Sequence, residues 1–277
     1  MPQLTVLIPC KNERHNIGPC IESVCALADE ILVADSGSTD DTLEVVRKLG
    51  GCRIIEREFV GYASFKNWAI PQAKHGWVLA LDADVRVPPH LAAEIRQVLQ
   101  DDPPHDAYAV RFLPYFLGHP VRYCGWSNSY CKRLFRRDLC RYSDARVHES
   151  LEVPSGKVSK LRGKIDHYTA RDIAEFLVKQ NRYTTAAAQD AFDQGKRTNF
   201  LKLLLKAPIR FLQAYLLQGG FLDGQVGLNV CMLTATYSYF KEAKLWGLAN
   251  ERPESHLVPL SPSTIPLSRP QVRRRAA

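Results

Sequence analysis

Trp77-Val78-Leu79-Ala80-Leu81-Asp82-Ala83-Asp84 joins an apolar segment to a pair of acids near the middle of the N-terminal half. An unbroken apolar run ends abruptly in two carboxylates at i and i+2. The run is too short for a globular helix and fits a strand buried on both faces. Two acids at the end of such a strand are costly unless a cation meets them. A divalent metal carrying a phosphorylated ligand would do so, because hard cations take carboxylate oxygens. Read alone, the motif is also compatible with a strand that simply stops in a polar turn.

The flanking sequence repeats the pattern. Leu4 to Ile8 is a short apolar strand closed by Pro9, followed by polar Lys11-Asn12-Glu13-Arg14. Ile17, Ile21, Val24 and Ala28 share one face of a helix. Glu30 to Ala34 is a second buried strand and ends at Asp35. The turn Ser36-Gly37-Ser38-Thr39-Asp40-Asp41 caps a helix packed through Leu43, Val46 and Leu49 and stopped by Gly50-Gly51. Arg53 to Glu56 is a third strand, and a helix around Ser64 to Ala73 precedes the opening stretch. Pro88-Pro89 start a helix with Leu91, Ile95, Val98 and Leu99 inside. Alternating strands and helices predict a doubly wound, Rossmann-like α/β fold with a mostly parallel central sheet. Ligands of such sheets bind outside the carboxyl ends of the strands. Asn12-Glu13, Asp35 and Asp82-Ala83-Asp84 each follow a different strand, so they are expected to converge on one crevice. No Gly-x-Gly-x-x-Gly follows the first strand and no P-loop occurs, which removes the main support for dinucleotide oxidoreductase and P-loop ATPase readings.

The chain has 277 residues, 45% of them hydrophobic and 24% charged, enough for a large core. A net charge of +8 suits anionic membranes or phosphorylated substrates. No nucleic-acid-binding signature accompanies it, so no nucleic-acid partner is expected. The eight cysteines form no CxxC pair, which predicts free, mostly buried thiols in a cytosolic protein rather than a zinc site. Strand-like sequence begins at Leu4, so no signal peptide is expected before it.

Past residue 105 the character changes. Tyr108 to Phe112 and Ser129 to Phe135 read as strands. Arg133, Arg136, Arg137, Arg141 and Arg146 form either a solvated basic face or a phosphate clamp. From Asp172, a helix cap, the sequence turns helical. Lys202, Lys206 and Arg210 mark one stripe of an apolar helix that Pro208 interrupts. Leu216 to Phe240 carries one charge, Asp223, and several glycines. The favoured reading of 200–240 is an amphipathic segment on an anionic membrane face. A buried helical hairpin and a true span are the alternatives. The boundaries read as 1–170 for the α/β domain, 171–250 for the helical extension and 251–277 for a disordered basic tail.

With Pro9, Asn12-Glu13, Asp35-Ser36-Gly37-Ser38-Thr39-Asp40 and Asp82-Ala83-Asp84 in this order, residues 3 to 100 resemble a family 2 glycosyltransferase of the GT-A fold. Asp29-Glu30-Ile31, Gly61-Tyr62 before Lys66-Asn67, Arg133-Leu134-Phe135, Val147-His148-Glu149 and Leu222-Asp223-Gly224 extend the likeness to the branch of lipopolysaccharide core β-glucosyltransferases. Val85 departs from that branch, which often has Glu after the second Asp. The resemblance implies a nucleotide-sugar site of Pro9, Lys11, Asn12, Glu13, Asp35, Ser36, Lys66, Asp82 and Ala83. Asp35 would face the uracil, Lys66 the base or diphosphate, and Asp82 the ribose. Asp84 would hold Mg²⁺ or Mn²⁺ against the diphosphate, with Asp82, His148 and His167 as further candidate ligands. Glu149, with Asp144 in reserve, would be the general base of an inverting transfer.

The expectation is therefore a metal-dependent inverting glycosyltransferase at the cytoplasmic face of the inner membrane. It would move glucose from UDP-glucose onto a phosphorylated glycolipid such as the lipopolysaccharide inner core. Transfer to polyprenyl phosphate or to an exopolysaccharide or capsule precursor is the alternative acceptor. A nucleotidyltransferase is the rival from another class, though Lys11 to Arg14 lacks the glycine-rich loop it needs. A non-catalytic nucleotide-sugar module is disfavoured by the intact acids. A paired-carboxylate hydrolase fits poorly, since Asp82 and Asp84 are too close in sequence to flank a sugar.

Overall fold

The computed structural model describes residues 2–100, 103–126, 129–143 and 150–250. The candidate bases Asp144 and Glu149, His148, Arg146 and the basic tail from 251 lie outside the described residues. Four strands follow the sequence reading closely: β1 (Leu4–Cys10), β2 (Glu30–Asp35), β3 (Cys52–Glu56) and β4 (Trp77–Ala80). Helices α1 (Ile17–Val24), α2 (Thr42–Leu49) and α3 (Tyr62–Ala69) link them, and α4 (Pro89–Gln100) follows. Every residue of β2 and β4 is buried, as expected for strands covered on both faces.

Two boundaries differ for reasons of proline chemistry. β1 runs through Pro9 instead of stopping there. Leu81 donates its N–H to Leu7 O, so position 9 faces the same side as position 7. Pairing with β4 ends at Leu7, so the missing Pro9 N–H leaves no acceptor unmatched there. In the third helix, the α-helical part ends at Ala69 and a 3₁₀ turn at Ile70–Gln72 carries Pro71, which cannot supply the next helical N–H.

The outer half of the sheet contains β5 (Val85–Arg86), β6 (Ala107–Phe116), β7 (His119–Pro120), β8 (Tyr130–Arg136) and β11 (Val158–Ala170). A separate two-stranded ribbon pairs β9 (Arg141–Tyr142) with β10 (Leu151–Glu152). The order is β3-β2-β1-β4-β8-β6-β11-β5, with β7 beside β6. β1 through β4 pair in parallel, as do β6 and β11, but β8 runs antiparallel to both its neighbours and β5 antiparallel to β11. The sheet is therefore mixed rather than mostly parallel. One apolar core lies beneath α1, α2 and α4, and a second beneath α3 and the β9–β10 ribbon. All eight cysteines are free; Cys10, Cys20, Cys124, Cys140 and Cys231 are buried, whereas Cys25 is exposed.

The chain then becomes helical: α5 (Ile173–Asp193), α6 (Phe200–Leu212) and α7 (Gly224–Asn250). Asp172 caps α5 by accepting from Glu175 N at 2.7 Å, and Asn199 caps α6 in the same way. Between α6 and α7 the backbone doubles back so closely that a Cβ on Gly227 would sit 1.8 Å from Gly220 O. Asp223 in this turn accepts from the backbone N–H groups of Arg122 and Tyr123 at 3.0 and 2.9 Å, tying the helices to the end of the sheet. The cation stripe expected on α6 is broken: Lys206 turns inward to pair with buried Glu242 of α7. No α6 residue is buried, and Leu201, Leu204, Leu205, Ile209 and Leu212 form an exposed apolar row. No helix among the described residues is long and apolar enough to cross a membrane.

Candidate active site

The parallel strands deliver their polar residues to one edge. β1 ends into Asn12-Glu13, β2 ends at Asp35, and β4 ends just before Asp82-Ala83-Asp84. Two loops are stitched directly. Asn12, at φ +56°, donates its N–H to Ser38 Oγ at 2.9 Å and accepts from Thr39 N at 2.8 Å. Glu13 N donates to Thr42 Oγ1 at 2.7 Å.

Asp35 is only 1% exposed. Its carboxylate accepts from Gly37 N at 2.9 Å, Ser38 N at 2.8 Å, the Ser38 hydroxyl and the Cys10 thiol. That uses about four acceptor sites, all that a carboxylate offers. Asp35 thus holds its own turn in shape, and a nucleobase donor would have to displace one of these partners. Ser36 hydroxyl donates to Cys10 O at 3.1 Å, locking β1 to the same turn.

Asp82 is the counter-ion of Arg133, with Nη2 to Oδ2 at 2.6 Å and Nη1 to Oδ1 at 3.4 Å. Arg133 also lies over the Phe112 ring, 5.2 Å from its centroid. Burial raises the Asp82 carboxyl, but the charges of Arg133 and Lys66 outweigh it and bring it down to about 2. Of the dense arginines among the described residues, only Arg133 reaches this edge. Arg136 pairs with Asp106 at 3.2 Å, and Arg137 donates to Ala73 O at 2.7 Å, both at the far end of β4.

Asp84 points elsewhere. Its Oδ2 lies 3.3 Å from His167 Nε2, and its carbonyl accepts from Tyr168 N at 2.9 Å. β11 brings His167 there because it pairs with Val85 in the antiparallel β5–β11 ladder. Glu13 is near enough for burial first, and the Asp84 charge after it, to push its carboxyl up, against a hydrogen bond from Asn16 and the charge of Lys179. Among the described residues no three His, Cys, Asp or Glu side chains gather in metal geometry. The pair Asp84–His167 nevertheless offers one carboxylate oxygen and one imidazole nitrogen. Such a donor set fits Mg²⁺ or Mn²⁺ when phosphate oxygens and water complete the shell.

Lys66 of α3 sits over the Tyr142 ring at 4.8 Å, and Asn67 exchanges two 2.8 Å hydrogen bonds with the Tyr142 backbone. Ser143 N donates to Ser150 O at 3.0 Å. Tyr142 is thereby fixed beside Lys66. The Asp82–Arg133 pairing and the part played by Asn67 were not legible in sequence, because both depend on which strands become neighbours.

Parallel strands that carry acids to one carboxyl edge, continued by a mixed outer half, form a GT-A-like sheet. The chain belongs to glycosyl transferase family 2, whose model matches residues 5–144. The lipopolysaccharide core biosynthesis glycosyltransferase LpsC of Rhizobium meliloti is 32% identical over 249 residues, 88% of this chain and 92% of that protein. An uncharacterised glycosyltransferase of Rickettsia prowazekii is 27% identical over 259 residues, 90% of this chain and 88% of its own. Among solved structures, glucosyl-3-phosphoglycerate synthase from Mycobacterium tuberculosis is 18% identical, with a TM-score of 0.45 over 63% of this chain and 73% of that one.

The Asp82–Arg133 pair yields a pH prediction. A carboxyl lowered on folding contributes stability that is complete above its ordinary value of 3.8 and is lost as pH falls through about 2. In Arg133→Met the Asp82 carboxyl rises, so acid unfolding followed by circular dichroism should move to higher pH. An unchanged acid midpoint would show that the pair contributes nothing.

Proposed function

We propose that the chain is a metal-dependent inverting hexosyltransferase that takes glucose from UDP-glucose. Its acceptor is a phosphorylated, lipid-linked saccharide such as the lipopolysaccharide inner core, met at the cytoplasmic face of the inner membrane. The observation that carries this reading is the Asp84–His167 pair at the carboxyl edge of the sheet. Asp84 and His167 would hold Mg²⁺ or Mn²⁺, and the ion would offset charge on the departing diphosphate. Arg133 and Lys66, held near Asp82, keep positive charge at the same edge. The Asn12–Thr39 and Asp35–Gly37 contacts preset the two loops that flank the nucleoside. Inversion requires a base to remove the acceptor hydroxyl proton while the sugar–diphosphate bond breaks with its electron pair going to UDP. Glu149 is assigned that role, with Asp144 in reserve. The full-length similarity to LpsC supports the acceptor class. The exposed apolar row of α6 and the net charge of +8 support an anionic membrane surface.

Asp84→Asn should abolish the Mn²⁺ dependence of UDP affinity in calorimetry; equal affinities with and without Mn²⁺ in the wild type would refute the metal role. Glu149→Gln should bind UDP-glucose normally yet lose at least about 100-fold in turnover, as expected for loss of a general base. Near-normal transfer would exclude Glu149 as the base. The wild type should sediment with anionic liposomes at low salt, and Leu204→Glu with Ile209→Glu should not. A wild type that stays in the supernatant would rule out membrane docking.

A further inference from the structure

β8, β6 and β11 lie side by side in the outer half of the sheet. Their registers set Lys132 opposite Ala109 and Ala109 opposite Lys160, and in the next row Tyr130 opposite Arg111 and Arg111 opposite Lys164. Side chains directly opposite one another share a face of the sheet. Two short rows of one face therefore carry four cations, an aromatic ring and an alanine. Like charges set directly opposite destabilise a sheet, and Arg111 against Lys164 is such a pair.

Among the described residues, no Asp or Glu lies in ion-pair contact with Arg111, Lys132, Lys160 or Lys164. Lys132 Nζ donates to Leu151 O, a carbonyl that leaves its charge unbalanced. The next row along β11 holds Asp166, opposite Leu113. Burial pushes the Asp166 carboxyl up, against the charge of His90. Tyr130 holds two of the cations instead. Arg111 Cζ lies 5.1 Å and Lys160 Nζ 4.7 Å from its ring centroid. A ring face attracts a cation without neutralising it, so both heads are positioned while their charge stays available. Tyr130 and Lys160 are exposed, which opens the patch to solvent. The bulge in β8 turns the neighbouring Arg133 to the other face. There it lies over Phe112, whose ring His167 also contacts. Phe112 and Arg111 are consecutive in β6 and point to opposite faces. The sheet therefore separates this patch from the Arg133–Phe112–His167 side.

We propose that Arg111, Lys160 and Lys164, ordered by Tyr130, form a second anion site that takes a phosphate monoester. The guanidinium fork pairs with two phosphate oxygens and the lysines supply point charges. A dianion between Arg111 and Lys164 removes the repulsion that the register imposes on them. Size restricts the ligand: three strands span about 10 Å and two rows about 7 Å, room for one phosphate group and not for the repeating phosphates of a polynucleotide. The same group is carried by soluble sugar phosphates and by phospholipid headgroups. The inference is independent of the glycosyl-transfer reading, since it needs only an anion at a face away from the strand-end acids.

The test uses the full-length protein at low salt, with glucose 6-phosphate in calorimetry as the soluble probe. Vesicles containing phosphatidic acid are the lipid probe. Their sedimentation is read in the Leu204→Glu, Ile209→Glu background, so that the α6 row does not contribute. Arg111→Met and Lys160→Met should each weaken binding of one phosphate source roughly tenfold, as loss of a charge-assisted hydrogen bond implies. Lys160 is exposed, so its variant reads the site without disturbing the fold. Lys48→Met, which removes an exposed cation on α2, should change nothing. UDP affinity with Mn²⁺ should be the same in all variants. Dependence with glucose 6-phosphate assigns a soluble ester, and dependence with the vesicles alone assigns a headgroup. The proposal is overturned if neither probe responds to Arg111 and Lys160, if Lys48→Met weakens binding equally, or if the variants lose UDP instead. A wild type that binds a phosphate source but not UDP would overturn the donor reading and leave this site standing.

Discussion

The bidentate contact between Arg133 and Asp82 joins the two halves of this molecule at the edge where the site forms. Asp82 follows β4, the last strand of the parallel half, and Arg133 lies on β8, the first strand of the mixed half. Without a carboxylate, an arginine only 14% exposed on its side chain would carry a heavy desolvation cost, whereas Asp82, 41% exposed, keeps part of its hydration. Each charge is tolerable because the β4–β8 ladder sets Leu79 opposite Leu134 and so brings the two ends together. With Asp82 occupied in this way, Asp84 is left to face His167. The two acids of one short motif thus have different partners and different work.

A second consequence concerns rigidity. The loops after β1 and β2 are cross-linked by side chains that accept backbone N–H groups: Asn12 from Thr39, Asp35 from Gly37 and Ser38. Their shape is fixed before any ligand arrives, which lowers the ordering cost of binding. The helical extension differs. α7 packs on α5 and α6, while α6 keeps an apolar row in solvent.

Much of the first hundred residues was legible from local chemistry. Short apolar runs, helix caps and strand-end acids at Glu13, Asp35 and Asp84 reported their own positions. β11 was not legible. Its sequence, Val158 to Ala170, mixes charges with apolar residues because one face is only partly covered, and His167 stands out there only as a candidate ligand. The Asx-type turn of Asp35 did carry a signal, since Asp-Ser-Gly-Ser is turn chemistry. Its consequence, a carboxylate fully used by its own loop, needed coordinates. The divided fates of the arginines and the inward turn of Lys206 depend on strand register and helix packing.

The proposed function stands or falls on whether the carboxyl edge of this sheet holds a nucleotide diphosphate through a divalent metal. The most direct measurement is the melting temperature of the wild-type protein with a panel of nucleotide sugars, each with and without Mn²⁺. Uridine diphosphate sugars should raise it, UDP-glucose most, and only with the metal present. Stabilisation by these ligands without metal, or by none of them with it, would refute that mode of binding.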